Sequence, residues 1–194
     1  MDDKKRLLEL LAEKSFMYSE EPTFRLASGK MSSFYVNCKK TAYDPEGIVL
    51  IGKIVFEMAQ KYSPVGIGGL TLGADPIAVS VAGESFRQAK PIKAFVVRKE
   101  AKEHGTKLPV EGDMKAGERV VIIEDVITTG GSALIAIKAA RDFGLEVAGI
   151  IALVDREEGG REAIEAESVP VESVFTKEEV FDQYKASDGT GNTP

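Results

Sequence analysis

The sequence predicts an α/β protein with a mainly parallel sheet flanked by helices. Short apolar segments alternate with amphipathic segments along most of the chain, which is typical of right-handed βαβ units. Val120–Ile123 is a continuous apolar run, as expected of a strand buried on both faces of a parallel sheet. Asp44-Pro45 and Asp75-Pro76 mark helix starts, because Asp caps a helix and Pro suits its first turn.

The elements follow in chain order. Residues 4–14 place Leu7, Leu8 and Leu11 on one face, which predicts a helix. Residues 23–43 are expected to form short strands and a loop, and Lys99–Gly117 has almost no apolar periodicity. Further strands are predicted at Val65–Gly69, Lys93–Arg98, Glu146–Val154 and Val171–Phe175, and helices at 44–62, 75–86, 132–143 and 160–167. A length of 194 residues suggests one domain over 1–185, and 186–194 is expected to be a disordered tail.

Composition excludes several classes of protein. A net charge of −6 argues against general nucleic-acid binding, which needs a broad basic surface. Cys38 and His104 are the only cysteine and histidine, so an intrachain disulfide and a zinc site of several imidazoles are both excluded. No apolar run reaches membrane-spanning length and the N-terminus lacks an apolar signal core, so we expect no membrane partner and a cytoplasmic location.

The most informative segment joins a buried strand to a helix. Glu124 and Asp125 follow the apolar run, and the small-residue turn Thr128–Ser132 comes next. Backbone amides of such a turn, together with the helix N-terminus, form a phosphate site. Carboxylates beside a phosphate site must face another part of the ligand, and ribose hydroxyls are suitable donors to them. The segment therefore predicts a ribose-5-phosphate clamp, with a capped helix and two solvated acids as the alternative.

All thirteen positions of Val120–Ser132 resemble the phosphoribosyl-pyrophosphate signature of the type I phosphoribosyltransferases. The resemblance implies that family's fold, with a small N-terminal hood at about 15–43, and a requirement for Mg²⁺. It implies Mg²⁺ held mainly by substrate and water, with no direct protein ligand. It assigns catalytic roles to Glu124 and Asp125. Contacts to phosphoribosyl pyrophosphate are assigned to Glu124, Asp125, Val126, Ile127, Thr128, Thr129, Gly130, Gly131 and Ser132.

A basic segment follows the strand at Lys93–Arg98. Arg98, Lys99, Lys102 and His104 place four potential cations within seven residues, which suits a pyrophosphate leaving group. Taken alone, such a run is more often a solvated loop. The string Val97–Gly105 resembles the catalytic loop of orotate phosphoribosyltransferases. The resemblance implies a mobile loop at about 98–112, a catalytic Lys102, pyrophosphate contacts from all four cations, and a homodimer in which each loop reaches the neighbouring active site.

The base site is predicted from three further segments. Phe24–Asn37 resembles the orotate hood of that family, with Tyr35 as the stacking residue, although packing of Tyr35 and Phe34 in a small sheet is equally compatible. Arg156 follows a strand in an Asp-Arg-x-x-x-Gly motif and suits a carboxylate substrate. Thr128 is implied to contact the base as well. Gly68–Pro76 resembles a loop that holds pyrophosphate by backbone amides, and a plain strand-to-helix turn is the alternative.

These resemblances imply transfer of the phosphoribosyl group to orotate, giving orotidine 5′-phosphate and pyrophosphate in pyrimidine biosynthesis. One alternative is an enzyme of the same fold acting on another nucleobase, and the loop and Arg156 argue against it. A second is a non-catalytic regulator that binds nucleic acid, which the acidic net charge opposes. Gly47–Lys53 imitates a Walker A loop, but it follows no strand and is predicted to be helical.

Overall fold

The computed structural model describes residues 2–25, 29, 31–99 and 110–187. Its centre is a six-stranded sheet with the order β10-β9-β8-β5-β6-β7. Five strands are parallel, and β7 pairs antiparallel with β6 at one edge. The strands are β5 Gly66–Leu70, β6 Lys93–Val97, β7 Val110–Glu111, β8 Arg119–Ile127, β9 Glu146–Asp155 and β10 Val171–Thr176.

Helices cover both faces of this sheet. They are α3 Pro45–Ala59, α4 Ala74–Arg87, α5 Gly131–Phe143 and α6 Gly160–Glu165. Side chains of β8 alternate between the faces: Val121 and Ile123 join the core beneath α3 and α4, whereas Val120 and Ile122 join the core beneath α5. Both faces are therefore buried, which explains why the strand is apolar at every position in this stretch.

The N-terminal region packs against the last helix of the described residues. It comprises α1 Asp3–Leu10, a π-helical turn Leu11–Ser15, β1 Phe16–Tyr18, β2 Phe24–Arg25, β3 Met31–Ser32, β4 Phe34–Val36 and α2 Lys39–Ala42. β1 pairs antiparallel with β4, and β2 with β3. The last helix, α7 Lys177–Ala186, begins at a capping box formed by Thr176 and Glu179. Phe16 is fully buried, with its ring centroid 5.8 Å from that of Phe181 and 5.3 Å from that of Tyr184.

The predicted α/β class, the mainly parallel sheet and the flanking helices are confirmed. The Walker-like string at 47–53 lies inside α3, as expected. Some boundaries were wrong. β8 continues through both acids to Ile127, the polar stretch after Lys99 contains β7, and α7 was not predicted. Ala186, placed in the predicted tail, ends α7, and 188–194 lie outside the described residues.

Within the described ranges, no helix combines the length and apolar character that a bilayer crossing requires.

Candidate active site

Three loops meet at the carboxyl edge of the sheet. They follow β5, β8 and β9, which are neighbours in the sheet and run in the same direction. Ile127 at the end of β8 is paired with Asp155 at the end of β9, and the Ile127 carbonyl accepts a hydrogen bond from the Arg156 amide at 2.9 Å. Ligands of open α/β sheets bind at this edge, so the loops define the candidate site.

Glu124 and Asp125 lie at this edge, near the end of β8, with their side chains on opposite faces of the strand. Glu124 is only 6% exposed. Its burial, and then the charge of Asp125, raise the pKa of Glu124 to about 8, against an opposing effect of Lys39. In the ligand-free protein, Glu124 is therefore largely protonated at neutral pH.

Lys39 contacts Asp125 of this acid pair and was not predicted from the sequence. Its Nζ donates to Asp125 Oδ2 at 3.0 Å, across a separation of 86 residues. Burial alone would lower the pKa of Lys39, but the charge and hydrogen bond of Asp125, and the nearby Tyr35, raise it. Lys39 lies at the start of α2, after the segment Phe24–Asn37 that resembles the hood. No local sequence pattern marks it as a site residue.

The loop after β5 packs directly on the acids. It runs from Thr71 to Gly73 and contains a cis peptide bond between Thr71 and Leu72. A Cβ atom on Gly73 would lie 2.4 Å from Asp125 Oδ1, so only glycine permits this approach. The loop thus lies next to Asp125, as a pyrophosphate-binding turn would require.

The turn after β8 exposes backbone amides. Gly130 has φ +81° and precedes the first turn of α5, where no side chain of the described chain caps the helix. Thr129, Gly131 and Ser132 are exposed, so the amides around them are open to an anion. Two predicted ligand contacts have a different environment: Val126 packs against one core and Ile127 is buried in the other, which leaves only their backbone for a ligand.

Arg156 is buried at the end of β9, with 3% exposure. Its Cζ lies 4.8 Å from the ring centroid of Phe34, and its Nη2 lies 2.8 Å from Glu158 Oε1. Neither Nε nor Nη2 has a well-aligned hydrogen bond to any described residue. A buried guanidinium with unused donors is suited to bind a carboxylate.

The two aromatic residues of β4 face different surroundings. Phe34 stacks on Phe16 and lies under both Arg156 and Lys177, each 4.8 Å from its centroid. Tyr35 is 38% exposed and stacks on Phe24, with ring centroids 6.1 Å apart. Tyr35 is thus the more accessible ring, while Phe34 positions Arg156.

The basic segment is described only at its start. Arg98 pairs with Glu111 of β7 at 3.1 Å, and Lys99 is exposed. Lys102 and His104 lie outside the described residues.

Comparison with known proteins identifies the group to which this chain belongs. The model of the phosphoribosyl transferase domain matches residues 45–184, which include the acids, the turn after β8 and Arg156. The chain is a member of the phosphoribosyltransferase family. The phosphoribosyltransferase is 51% identical over 181 residues to the orotate phosphoribosyltransferase of Aquifex aeolicus, covering 93% of this chain and 99% of that relative.

Solved structures are similar to this phosphoribosyltransferase over nearly its whole length. The orotate phosphoribosyltransferase of Mycobacterium tuberculosis in complex with Fe(III) dicitrate is 38% identical, with a TM-score of 0.81 and coverage of 92% of this chain and 98% of that one. The same enzyme in complex with 5-phospho-α-D-ribosyl 1-diphosphate has a TM-score of 0.77 at 36% identity, with coverage of 92% and 99%. The type I fold expected from the signature is thereby confirmed.

Proposed function

We propose that this phosphoribosyltransferase transfers the 5-phosphoribosyl group from phosphoribosyl pyrophosphate to orotate, giving orotidine 5′-phosphate and pyrophosphate for pyrimidine synthesis. The observation that carries the proposal is the convergence, on one sheet edge, of an acid pair, an open turn of amides and a buried arginine with unused donors. Relatives named orotate phosphoribosyltransferase at 42% to 51% identity support it.

The sugar phosphate is assigned to the end of β8. Glu124 and Asp125 bind the ribose hydroxyls, and the amides and hydroxyls of Thr128–Ser132 hold the 5-phosphate. A carboxylate near the anomeric carbon also stabilises the positive charge that develops there. Asp125, whose carboxylate is held in place by Lys39 and by the Val126 amide, is suited to this role.

Orotate is assigned to the space between the loops after β8 and β9 and the N-terminal region. Arg156 binds the orotate carboxylate through Nε and Nη2, neither of which makes a well-aligned hydrogen bond to a described residue, so the Nη2 ion pair with Glu158 must loosen on binding. Tyr35 covers the ring, and Thr128 contacts the base. N1 of orotate then attacks the anomeric carbon from the face opposite to the departing pyrophosphate.

Pyrophosphate gains negative charge as its bond to ribose breaks. Arg98, Lys99, Lys102 and His104 are assigned to that charge, with Lys102 as the catalytic residue. Closure of their loop at about 98–112 also excludes water from the activated sugar.

Mg²⁺ fits this site as an ion held mainly by substrate oxygens and water. Among the described residues, no cluster of three or more acidic, histidine or cysteine side chains could cage a metal. Each oxygen of Asp125 accepts one hydrogen bond from the protein, and its remaining acceptor capacity is assigned to the ribose hydroxyls, which favours a substrate-held ion over a protein-held one. When bound, the ion would neutralise charge on the pyrophosphate.

A homodimer in the cytoplasm completes the proposal. An apolar surface on α4 supports a subunit contact: Phe86 is 79% exposed and Val79 63%, and one helical turn before Phe86 the position of Gly83 is open. A dimer would let the loop of one subunit reach the active site of the other.

The direct test is a steady-state assay with phosphoribosyl pyrophosphate, Mg²⁺ and one of four bases: orotate, uracil, hypoxanthine or adenine. We expect turnover with orotate and little with the others. Turnover of another base alone would favour a different phosphoribosyltransferase of this fold. Absence of orotate turnover at every Mg²⁺ concentration would contradict the proposal.

A further inference from the structure

Lys39 connects the N-terminal region to the acid pair at the sheet edge. It is the first residue of α2, two positions after the segment that resembles the hood, and its Nζ lies 3.0 Å from Asp125 Oδ2. Its side chain is 44% exposed, whereas that of Asp125 is 16% exposed. The ammonium therefore reaches from the surface onto a mostly covered carboxylate.

Asp125 is held on three sides. Oδ2 accepts the hydrogen bond from Lys39, and Oδ1 accepts one from the backbone amide of Val126 at 3.0 Å. The loop at Gly73 packs against the same carboxylate. Of these three contacts, only the one to Lys39 carries a charge that can balance Asp125.

The charges around the acid pair cancel at neutral pH. Burial and the neighbouring Asp125 raise the pKa of Glu124 to about 8, so Glu124 is mostly neutral. Asp125 is paired with Lys39. The adjacent Cys38 thiol is neutral too, because its burial raises its pKa well above the usual value. The four groups Glu124, Asp125, Lys39 and Cys38 together carry no net charge.

This balance has a consequence for an anionic ligand. A sugar diphosphate presents several negative charges next to the hydroxyls that Asp125 is assigned to bind. Without Lys39, the ligand would approach an unbalanced carboxylate in a partly desolvated site, where electrostatic repulsion is strong.

We propose that Lys39 is a positioning residue for the sugar diphosphate, which orients Asp125 toward the ribose hydroxyls and cancels the charge that would otherwise repel the ligand's phosphates. The inference rests on the proposed function for the identity of the ligand. If the ion pair were purely structural, loss of Lys39 would leave ligand affinity unchanged. Ion pairs exposed to this degree contribute little to the free energy of unfolding, so stability alone cannot explain a loss of affinity.

The first test is binding of phosphoribosyl pyrophosphate with Mg²⁺ to Lys39→Met, measured by titration calorimetry. We expect Kd to rise roughly tenfold, the effect of losing one charged hydrogen bond. Lys39→Arg should retain most of the affinity, and thermal unfolding of both variants should stay close to that of the wild type. Lys40→Met is the matched control, because it removes the same charge from the next, exposed residue.

The second test follows the Glu124 carboxyl by ¹³C NMR, with Glu124→Gln to assign its signal. Lys39 opposes the rise in the Glu124 pKa, so Lys39→Met should move the titration midpoint upward, while Lys40→Met should not. Equal affinity in the two methionine variants, or an unmoved midpoint in Lys39→Met, overturns the inference. If the wild type fails to bind the sugar diphosphate, the proposed function fails, and the ligand-free titration still decides whether Lys39 controls the acid pair.

Discussion

A Cβ atom on Gly160, the first residue of α6, would lie 2.4 Å from the carbonyl oxygen of Thr128. The same atom would lie 2.8 Å from the amide nitrogen of Gly130. The start of α6 therefore packs directly against the backbone of the turn after β8. The shape of the proposed phosphate site thus depends on Gly160, which follows β9 and not β8.

Gly160→Ala should disturb this support. Because the added methyl group meets backbone atoms, which cannot rotate away, we expect a loss of about 1–3 kcal/mol in the free energy of unfolding. Affinity for phosphoribosyl pyrophosphate should fall as well. Gly131→Ala is the control for stability, since its Cβ position meets no atom within 4 Å. Urea denaturation measures both variants, and equal unfolding free energies would contradict the contact.

Glu124 should impose a pH dependence on stability. Its pKa is 4.5 in a model peptide and about 8 in the folded protein, so the folded state binds more protons between these values. Stability must then decrease as pH rises from about 5 to 8, by at most about 1.4 kcal/mol per pH unit. Glu124→Gln should lose this component, whereas Glu57→Gln, at an exposed site on α3, should keep it. Parallel stability curves for wild type and Glu124→Gln would refute the assignment.

Arg156→Lys should weaken orotate binding selectively. Lysine keeps the charge but lacks the planar pair of donors, so we expect the KM for orotate to rise roughly 10- to 100-fold with a much smaller change for phosphoribosyl pyrophosphate. Arg141→Lys, a change of the same type at an exposed residue of α5, should leave both constants unchanged. An equal rise in the two KM values for Arg156→Lys would argue against a carboxylate contact.

Lys102→Ala should lower turnover without affecting folding. If Lys102 stabilises charge on departing pyrophosphate, its loss should reduce kcat by about 10²- to 10³-fold, the range for removing one preorganised donor. Thermal unfolding should not change. Lys115→Ala, at an exposed position, is the control, and full activity in Lys102→Ala would mean that the loop has another role.

Mixing two inactive variants tests whether sites are shared between subunits. In a hybrid of Lys102→Ala and Asp125→Asn subunits, one site receives both changes and the other neither, if the loop crosses the interface. Random exchange of subunits should then restore about a quarter of wild-type activity. Loops that serve their own subunit would give no recovery after mixing, and Phe86→Lys should prevent recovery by weakening the dimer.

The sheet and the acid pair could be predicted because their signals are local. Val120–Ile123 is apolar at every position, and the acids and small residues follow it without interruption. The end of β8 was predicted too early, because Glu124 and Asp125 are polar yet keep extended backbone pairing with β9 as far as Ile127. The continuous apolar run stops at Ile123, whereas burial and backbone pairing go on, since Glu124 is buried and Ile127 is both buried and the last paired residue.

Lys39 and Phe34 show what local patterns miss. Lys39 contacts an aspartate 86 residues away, and Phe34 lies beneath an arginine from the end of β9. Such contacts depend on how the N-terminal region docks on the sheet, which no periodicity encodes. α7 was missed for a related reason: its sequence is mostly polar, and only Val180 and Tyr184 are buried.

The packing of Phe16 against Phe181 and Tyr184 determines the order in which the polypeptide can mature. Phe16 is synthesised well before Phe181 and Tyr184, so the whole sheet is made before the rings that cover Phe16. A nascent chain that ends before Val180 exposes a large aromatic surface, which is the kind of surface that recruits chaperones and promotes aggregation. Emergence of α7, rather than synthesis of the sheet, is therefore the step at which the N-terminal region becomes fully packed.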